Sequence, residues 1–283
     1  MTELVVGLGF VPEAVVVPIL GPQRPFRPEP TAEDLAQAVG AIVRADVDVD
    51  QDMLNQMPRL RVLARTGVGT ERVDVEEAAR RGIPVVITPG SNTHAVAEGA
   101  LAHLLALSKS LPELTALVRE GRWFERSEVS VGDLEGQTLA VLGYGRIGKR
   151  VAQLARAFGM QVVAYDPYAE RDEVGRAETI SEAVLQATYV SVHLPATTET
   201  RHVVNRDLIS SMNPGTILVN LARGEVVDLD AAHWGLTEGI LAGVGLDVFA
   251  QEPPQHHPIF DHPRVVLTPH VMGLSAQSAQ ATF

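Results

Sequence analysis

The 283-residue chain contains no cysteine. That absence excludes disulfides, thiolate metal ligation and cysteine nucleophiles, and it suits a cytoplasmic setting. No run of about 18 apolar residues occurs, so no membrane-spanning helix is expected. The opening residues, MTEL, lack the basic start and apolar stretch of a secretory leader, so secretion is not expected. Positive charge is also scarce. Lys and Arg total 23 against 35 Asp and Glu, for a formal net charge of −12. Nucleic acid and other bulk polyanions need a basic surface that releases counterions, and are not expected as partners. A small anion could still be held by arginines gathered locally. There is no internal repeat and no low-complexity tract.

What is present points to two α/β domains, in keeping with the length. An apolar run from Leu139 to Leu142 meets Gly143-Tyr144-Gly145-Arg146-Ile147-Gly148. A helical pattern follows, then a second apolar run that ends at Asp166. Strand, glycine turn, helix, strand and acid, in this order and spacing, describe a dinucleotide-binding unit. Gly143 permits the tight turn, Gly145 lets the backbone approach a pyrophosphate, and Gly148 lets the helix pack on the strand. The helix beginning near Arg146 would aim free N–H groups at the phosphates. Asp166 would accept the ribose hydroxyls and repel a 2′-phosphate, which favours NAD over NADP.

Before this unit, strands over 40–44, 60–65 and 83–87 alternate with helices over 50–57 and 75–81. Residues 1–90 therefore read as a small parallel sheet. Pro22, Pro25, Pro28 and Pro30 make 21–30 an extended loop, and Thr31 with Asp34 has the spacing of a capping box. Residues 95–111 form an apolar helix, and 119–132 a polar excursion carrying Trp123 and Phe124. Further strands are expected over 189–194, 216–221, 241–247 and 265–268.

Ligands in parallel sheets sit at the carboxyl ends of strands. Three signals lie there: Asn220 to Glu225, Asp247 with Glu252-Pro253, and Thr268-Pro269-His270. One chemistry explains an arginine, a glutamate and a histidine beside a nicotinamide. Hydride exchange with a 2-hydroxy acid needs a proton to join or leave oxygen, which histidine can supply near neutral pH. Arginine can hold a carboxylate and polarise a carbonyl. A carboxylate beside the histidine fixes its tautomer and favours the imidazolium. Histidines 256, 257 and 262 with Asp261 have no recognised ligand spacing, so no metal is expected.

The chain resembles the D-isomer-specific 2-hydroxyacid dehydrogenases, with the D-3-phosphoglycerate dehydrogenases as the nearest branch. The matching segments are 65–74 (RTGVGTERVD), 88–93 (TPGSNT) with 96–98 (VAE), 143–148 (GYGRIG), 192–195 (VHLP) with Thr200, 220–224 (NLARG), 245–249 (GLDVF) with Glu252-Pro253, and 268–270 (TPH). The resemblance implies that His270 is the general acid/base, Glu252 its partner, and Arg223 the ligand of the substrate carboxylate and carbonyl. It implies cofactor contacts from Gly143, Gly145, Arg146, Ile147, Gly148, Asp166, His193, Pro195, Thr200, Ala222 and Asp247. Val68 and Gly69 would offer N–H groups to the substrate, and Arg44 and Arg65 would face a phosphate. That last match is looser, because Ala45 follows Arg44 where many relatives have serine.

The implied fold has a flavodoxin-like substrate domain, 1–93 plus 271–283, and a Rossmann NAD-binding domain, 94–270, around a cleft. The implied assembly is a homodimer, with the Trp123 excursion as its intersubunit arm, and the implied pathway is serine biosynthesis. Relatives on the same fold include glyoxylate/hydroxypyruvate reductases, phosphite-oxidising enzymes and NAD-responsive corepressor-like binding proteins, which share the Arg–Glu–His set. Two departures stand out. Only thirteen residues follow His270, where relatives continue into a longer helix, so weaker domain closure or a truncated chain is expected, and feedback control through a carboxy-terminal regulatory domain is not expected. The proline-rich loop over 21–30 is expected to replace the first helix of the substrate domain.

Overall fold

The structure, a computed structural model, describes residues 3–44, 46–169 and 175–282, so Ala45 lies outside the described residues. The chain divides into two compact units, Met1–Asn92 with Leu274–Phe283, and Thr93–Gly273.

The first unit holds strands β1 (Val5–Leu8), β2 (Phe26–Arg27), β3 (Gly40–Val43), β4 (Val62–Arg65) and β5 (Val85–Val86). They form one parallel sheet in the order β2-β1-β3-β4-β5, the flavodoxin-like order. Its helices are α1 (Glu13–Leu20), α2 (Ala32–Gln37), α3 (Gln51–Asn55) and α4 (Val75–Arg80), with α11 (Ala276–Thr282) from the tail. Successive side chains point to opposite faces of a strand. Val6, Leu8, Ala41, Val43 and Leu63 accordingly pack with Leu35, Leu54 and Ala78 of α2, α3 and α4, while Val5 and Phe26 pack with Val16 of α1. The capping box forms as the spacing predicts: Thr31 Oγ1 accepts the Asp34 N–H at 3.2 Å, and the Asp34 carboxylate accepts the Thr31 N–H at 2.9 Å.

Two features of this unit correct the sequence reading. The proline-rich loop does not replace the first helix; α1 precedes it. The β-branched run Val15, Val16, Val17 and an internal Pro18 all speak against a helix by propensity. Burial of Val16 beneath β1 and β2 overrides that preference. The loop itself contributes β2, which pairs with Val5 and Val6 at the sheet edge, where neighbouring prolines forfeit no ladder bond.

The second unit opens with α5 (Thr93–Ser108) and α6 (Leu111–Arg119), followed by a 3-10 turn over Trp123–Glu128. Strands β6 (Thr138–Leu142), β7 (Gln161–Tyr165), β8 (Gly175–Arg176), β9 (Tyr189–Val192), β10 (Thr216–Asn220), β11 (Leu241–Leu246) and β12 (Val265–Leu267) alternate with α7 (Arg146–Ala157), α8 (Ile180–Leu185), α9 (Arg206–Ser210) and α10 (Leu229–Thr237). All seven strands are parallel, in the order β12-β11-β10-β9-β6-β7-β8. The chain starts at β6, runs outward through β7 and β8, then crosses back to β9, so the order reverses between β6 and β9. Both faces are covered. Leu139 and Val141 pack with α5 and α7; Ala140 and Leu142 pack with α8 and the residues of α9 and α10. Near-continuous apolar strands are what two covered faces require.

No single helix among the described residues is long and apolar enough to cross a membrane. The pair α5 and α6 would suffice in length but is bent by 58° at its junction. Ser110, at that bend, has φ of 50°.

Leu218 sits fully buried in β10, at the centre of the second sheet. Leu218→Ala is expected to cost about 2–5 kcal/mol through lost burial and a residual cavity. Both tryptophans, Trp123 and Trp234, belong to this unit. The urea midpoint read from tryptophan fluorescence should therefore fall; an unmoved midpoint would contradict this packing.

Candidate functional site

The carboxyl ends of β6 and β9 meet at the point where the strand order reverses. There the His193 N–H donates to the Leu142 carbonyl at 2.6 Å. Gly143 lies against this junction with φ of 97°, and a Cβ on it would stand 2.6 Å from the His193 carbonyl carbon. Gly148, one turn into α7, would place a Cβ 2.0 Å from the Gly143 oxygen. Neither position admits a side chain without moving backbone. Gly145 differs: a Cβ there would meet nothing within 4 Å among the described residues. It is exposed at the N-cap of α7, with no side-chain bond to the cap, and Arg146 beside it is also exposed while Ile147 is half-buried. Tight contacts below, an open backbone edge and uncapped helix N–H groups fit the phosphates of a dinucleotide.

Asp166 follows β7 and is half-buried. One carboxylate oxygen accepts the Tyr144 N–H at 2.8 Å, and the other accepts the Tyr168 and Ala169 N–H groups at 2.9 and 3.2 Å. The glycine loop and the loop after β7 are thus tied through one carboxylate. Pro195 and Thr200 lie in the turn after β9, where the Thr200 hydroxyl donates to the Pro195 carbonyl.

His193 is half-buried, and its Nδ1 is closed off from solvent with no hydrogen-bond partner among the described residues. Its Nε2 pairs with Ser191 Oγ at 2.8 Å. Burial pushes this imidazole down to about 4.

The other signals fall at the ends of β10, β11 and β12. Asn220 ends β10 and holds the next loop on itself: its Oδ1 accepts the Ala222 N–H and its Nδ2 donates to the Arg223 carbonyl. The Arg223 guanidinium, half-buried, donates to the Ala222 carbonyl at 2.8 Å. Gly224 packs directly on the loop after β11. A Cβ there would stand 2.0 Å from the Phe249 carbonyl carbon, so the loops bearing Arg223 and Glu252 touch backbone to backbone. Glu252 accepts the Phe249 N–H at 3.1 Å with Oε1, and its Oε2 pairs with His270 Nδ1 at 2.7 Å. His270 is exposed and has φ of 52°, left-handed for a residue with a side chain. The structure thus brings Arg223, Glu252 and His270 to one edge of one sheet.

Asp247, at the end of β11, is buried at 2% exposure. Its carboxylate accepts the Thr268 hydroxyl at 2.6 Å and the Val271 and Met272 N–H groups at 3.0 and 3.2 Å. His103 of α5 joins this group through its Nε2, 3.1 Å from Thr268 Oγ1. Sequence reasoning did not single out His103. Its only signal was a histidine within the alanine- and leucine-rich stretch of α5, four residues from Gly99 and four from Leu107.

In the first unit the order reverses between β1 and β3. Gly9, just past β1 with φ of 83°, would place a Cβ 2.9 Å from the Arg44 Cβ. Arg44 therefore sits at that unit's own switch point, half-buried. Arg65 ends β4, whose partner there is Val43 of β3, and its guanidinium donates to the Thr66 carbonyl. Val68 and Gly69 follow in the same loop, Val68 exposed. His94 is exposed at the start of α5. In the histidine-rich loop, His257 bonds to Asp230 at 3.1 Å and His256 pairs with Asp261.

Residues 101–272 match the sequence model of the D-isomer specific 2-hydroxyacid dehydrogenase NAD binding domain. A D-3-phosphoglycerate dehydrogenase of Mycobacterium tuberculosis is 43% identical over 248 residues, covering 86% of this chain and 47% of its own. A glyoxylate reductase of Thermococcus litoralis is 40% identical over 246 residues, covering 82% and 74%. The crystal structure of the TT0316 protein from Thermus thermophilus superposes with a TM-score of 0.90 at 33% identity, covering 99% of this chain and 93% of that one. The chain spans about half the length of the phosphoglycerate dehydrogenase relatives it matches.

The depressed His193 has a consequence for stability. Its folded value of about 4 lies below the ordinary value near 6.5. Above about pH 6.5 it is neutral folded or unfolded, and its contribution is complete. As pH falls from there toward 4, the unfolded chain takes up a proton that the folded chain refuses, and stability drops by about 2 kcal/mol by pH 5. Urea denaturation at pH 7.5 and 5.0 should show a smaller drop in His193→Gln than in the parent. An equal drop in both would place the titration elsewhere.

Proposed function

The chain belongs to the D-isomer specific 2-hydroxyacid dehydrogenase family, and on that premise we propose that it transfers a hydride between NAD(H) and a D-2-hydroxy acid or its 2-keto acid. The observation that carries this reading is the His270–Glu252 pair at 2.7 Å, with the Glu252 loop packed against the loop bearing Arg223. Glu252 accepts from Nδ1–H, which leaves Nε2 as the basic nitrogen of a neutral His270. In the oxidation direction that nitrogen takes the substrate hydroxyl proton, and the carboxylate stabilises the imidazolium. Arg223 holds the substrate carboxylate and the developing carbonyl oxygen through its planar donors. When bound, the nicotinamide supplies the hydride acceptor.

For the cofactor, Gly143, Gly145 and Gly148 shape the phosphate cradle, and Arg146 and Ile147 lend backbone N–H groups. Asp166 takes the ribose hydroxyls, and His193, Pro195, Thr200, Ala222 and Asp247 belong to the cofactor side. The substrate we favour is D-3-phosphoglycerate, with Arg44 and Arg65 on its phosphate and Val68 and Gly69 offering N–H groups. The placement of Arg44 at a switch point and the phosphoglycerate dehydrogenase relatives support this. The glyoxylate reductase relative, at 40% identity, supports a second reading in which the substrate is a small 2-keto acid. Exposed Val118, Trp123 and Phe124 support a homodimer, and the absence of cysteine suits a cytoplasmic enzyme.

The deciding assay is NADH oxidation with 3-phosphohydroxypyruvate, hydroxypyruvate, glyoxylate, pyruvate and oxaloacetate. Strong preference for the phosphorylated acid is expected; activity on the small acids alone would support the second reading. NADH binding without turnover on any of them would point to an NAD-responsive binding protein. His270→Ala and Arg223→Ala are each expected to lower kcat about 10²- to 10⁴-fold with NADH affinity nearly intact. Loss of NADH binding in either would show the site to be misplaced. Asp166→Ala should narrow the preference for NAD over NADP; an unchanged ratio would count against its ribose role.

A further inference from the structure

His270 needs unusual backbone support. Its φ of 52° lies in the left-handed region that residues with a side chain enter only against a steric cost. Such a conformation persists only where its surroundings over-determine it. Support comes from both flanks. On one side the Thr268 side chain is bonded to Asp247; on the other the Val271 and Met272 N–H groups bond to the same carboxylate. The Asp247 clamp therefore closes around His270 without touching its ring.

The clamp is itself backed by α5. Gly99, His103 and Leu107 recur every four residues and share one face of that helix. Leu107 rests on Gly243 and His103 on Gly245; a Cβ on Gly245 would stand 2.7 Å from His103 Nδ1. Glycines at these two positions in β11 let the helix approach the strand closely. Met272 lies on Gly99, where a Cβ would meet the Met272 Cβ at 2.7 Å. His103, 2% exposed, then reaches Thr268 Oγ1 at 3.1 Å. Thr268 has a single hydroxyl proton, and it goes to Asp247 at 2.6 Å. Its oxygen must accept from His103, so His103 carries a proton on Nε2. Burial holds this imidazole below its ordinary range against the pull of Asp247, which favours the neutral ring with Nδ1 unprotonated.

We propose that His103 is a positioning residue for His270: by donating to Thr268 it fixes the hydroxyl that Asp247 clamps, and so fixes the backbone turn from which the His270 imidazole is presented. The proposal rests on the reading of His270 as the proton-transferring group. Without the His103 donor, the Thr268 hydroxyl can rotate away from Asp247 and one flank of the turn loosens. Small displacements of a reacting group cost rate much more than binding.

The test compares His103→Leu, which removes the donor, with His103→Gln, which restores an N–H at a similar reach, and with Thr268→Val, which deletes the hydroxyl without touching α5. Two readouts are taken on the full chain: the split of kcat against KM and NADH affinity, and the Cε1–H NMR resonance of His270 in each variant. For His103→Leu and Thr268→Val we expect kcat to fall about tenfold, NADH affinity to stay within about twofold, and the His270 resonance to broaden or split. His103→Gln should recover most of both. A folded His103→Leu with parental kcat and an unchanged His270 resonance would overturn the proposal. If His103→Leu fails to fold, the same outcome in Thr268→Val overturns it. Should the parent chain turn over no 2-keto acid, the dehydrogenase reading fails by itself, while the NMR comparison still decides the link between His103 and His270.

Discussion

Backbone-to-backbone contact at the carboxyl edge of the second sheet is the constraint on which the site depends. Gly148 lies on the Gly143 carbonyl, Gly143 on His193, and Gly224 on the Phe249 peptide, all closer than any side chain allows. The first closes the glycine turn on its own helix, and the other two join segments that leave different strands. The glycine turn is locked to the end of β9, and the Arg223 loop to the loop carrying Glu252. Polar side chains then tie the remaining ends: Asp166 holds the glycine loop to the end of β7, and Asp247 holds the end of β11 to the turn after β12. Packed backbone sets the frame, and buried or half-buried carboxylates set the details.

The α/β class and the two parallel sheets were legible in the sequence because strand and helix differ in period, and because Gly, Pro and capping residues mark most boundaries. Thr31 and Asp34 announced α2, Asp50 and Asp74 cap α3 and α4, and the run into Gly143 announced the dinucleotide unit. The misreading at α1 has a clear physical source. Propensity weighs Val15, Val16, Val17 and Pro18 against a helix, and the burial that decides the matter is invisible without tertiary structure. β2 was hidden for the same reason, since a two-residue edge strand has no period to detect.

At the candidate site, the residues nearest the chemistry were conspicuous because Arg, Glu and His stood just past apolar runs. What holds them was not. His103 shares its helix with Ala, Leu and Gly, and only the approach of α5 to Gly243 and Gly245 brings it to Thr268. Gly224 looks like any other loop glycine until Phe249 lies against it. His103 takes its importance from a contact across 165 positions of sequence, and Gly224 from a backbone approach between two separate loops, and no local pattern encodes either.

The reversal of strand order also governs how the molecule can assemble. β6, β7 and the helix between them form within about thirty residues, so the glycine loop and its bond to Asp166 depend only on local chain. The wall against which that loop rests belongs to β9, which pairs with β6 across fifty positions, Leu139 to Tyr189. Closing so long a loop costs entropy before any contact repays it, and parallel pairing always demands such crossovers. The dinucleotide cradle is therefore built in two stages, a fast local half and a slow non-local half. A fragment ending after β7 would carry the whole glycine motif yet only one side of the cradle.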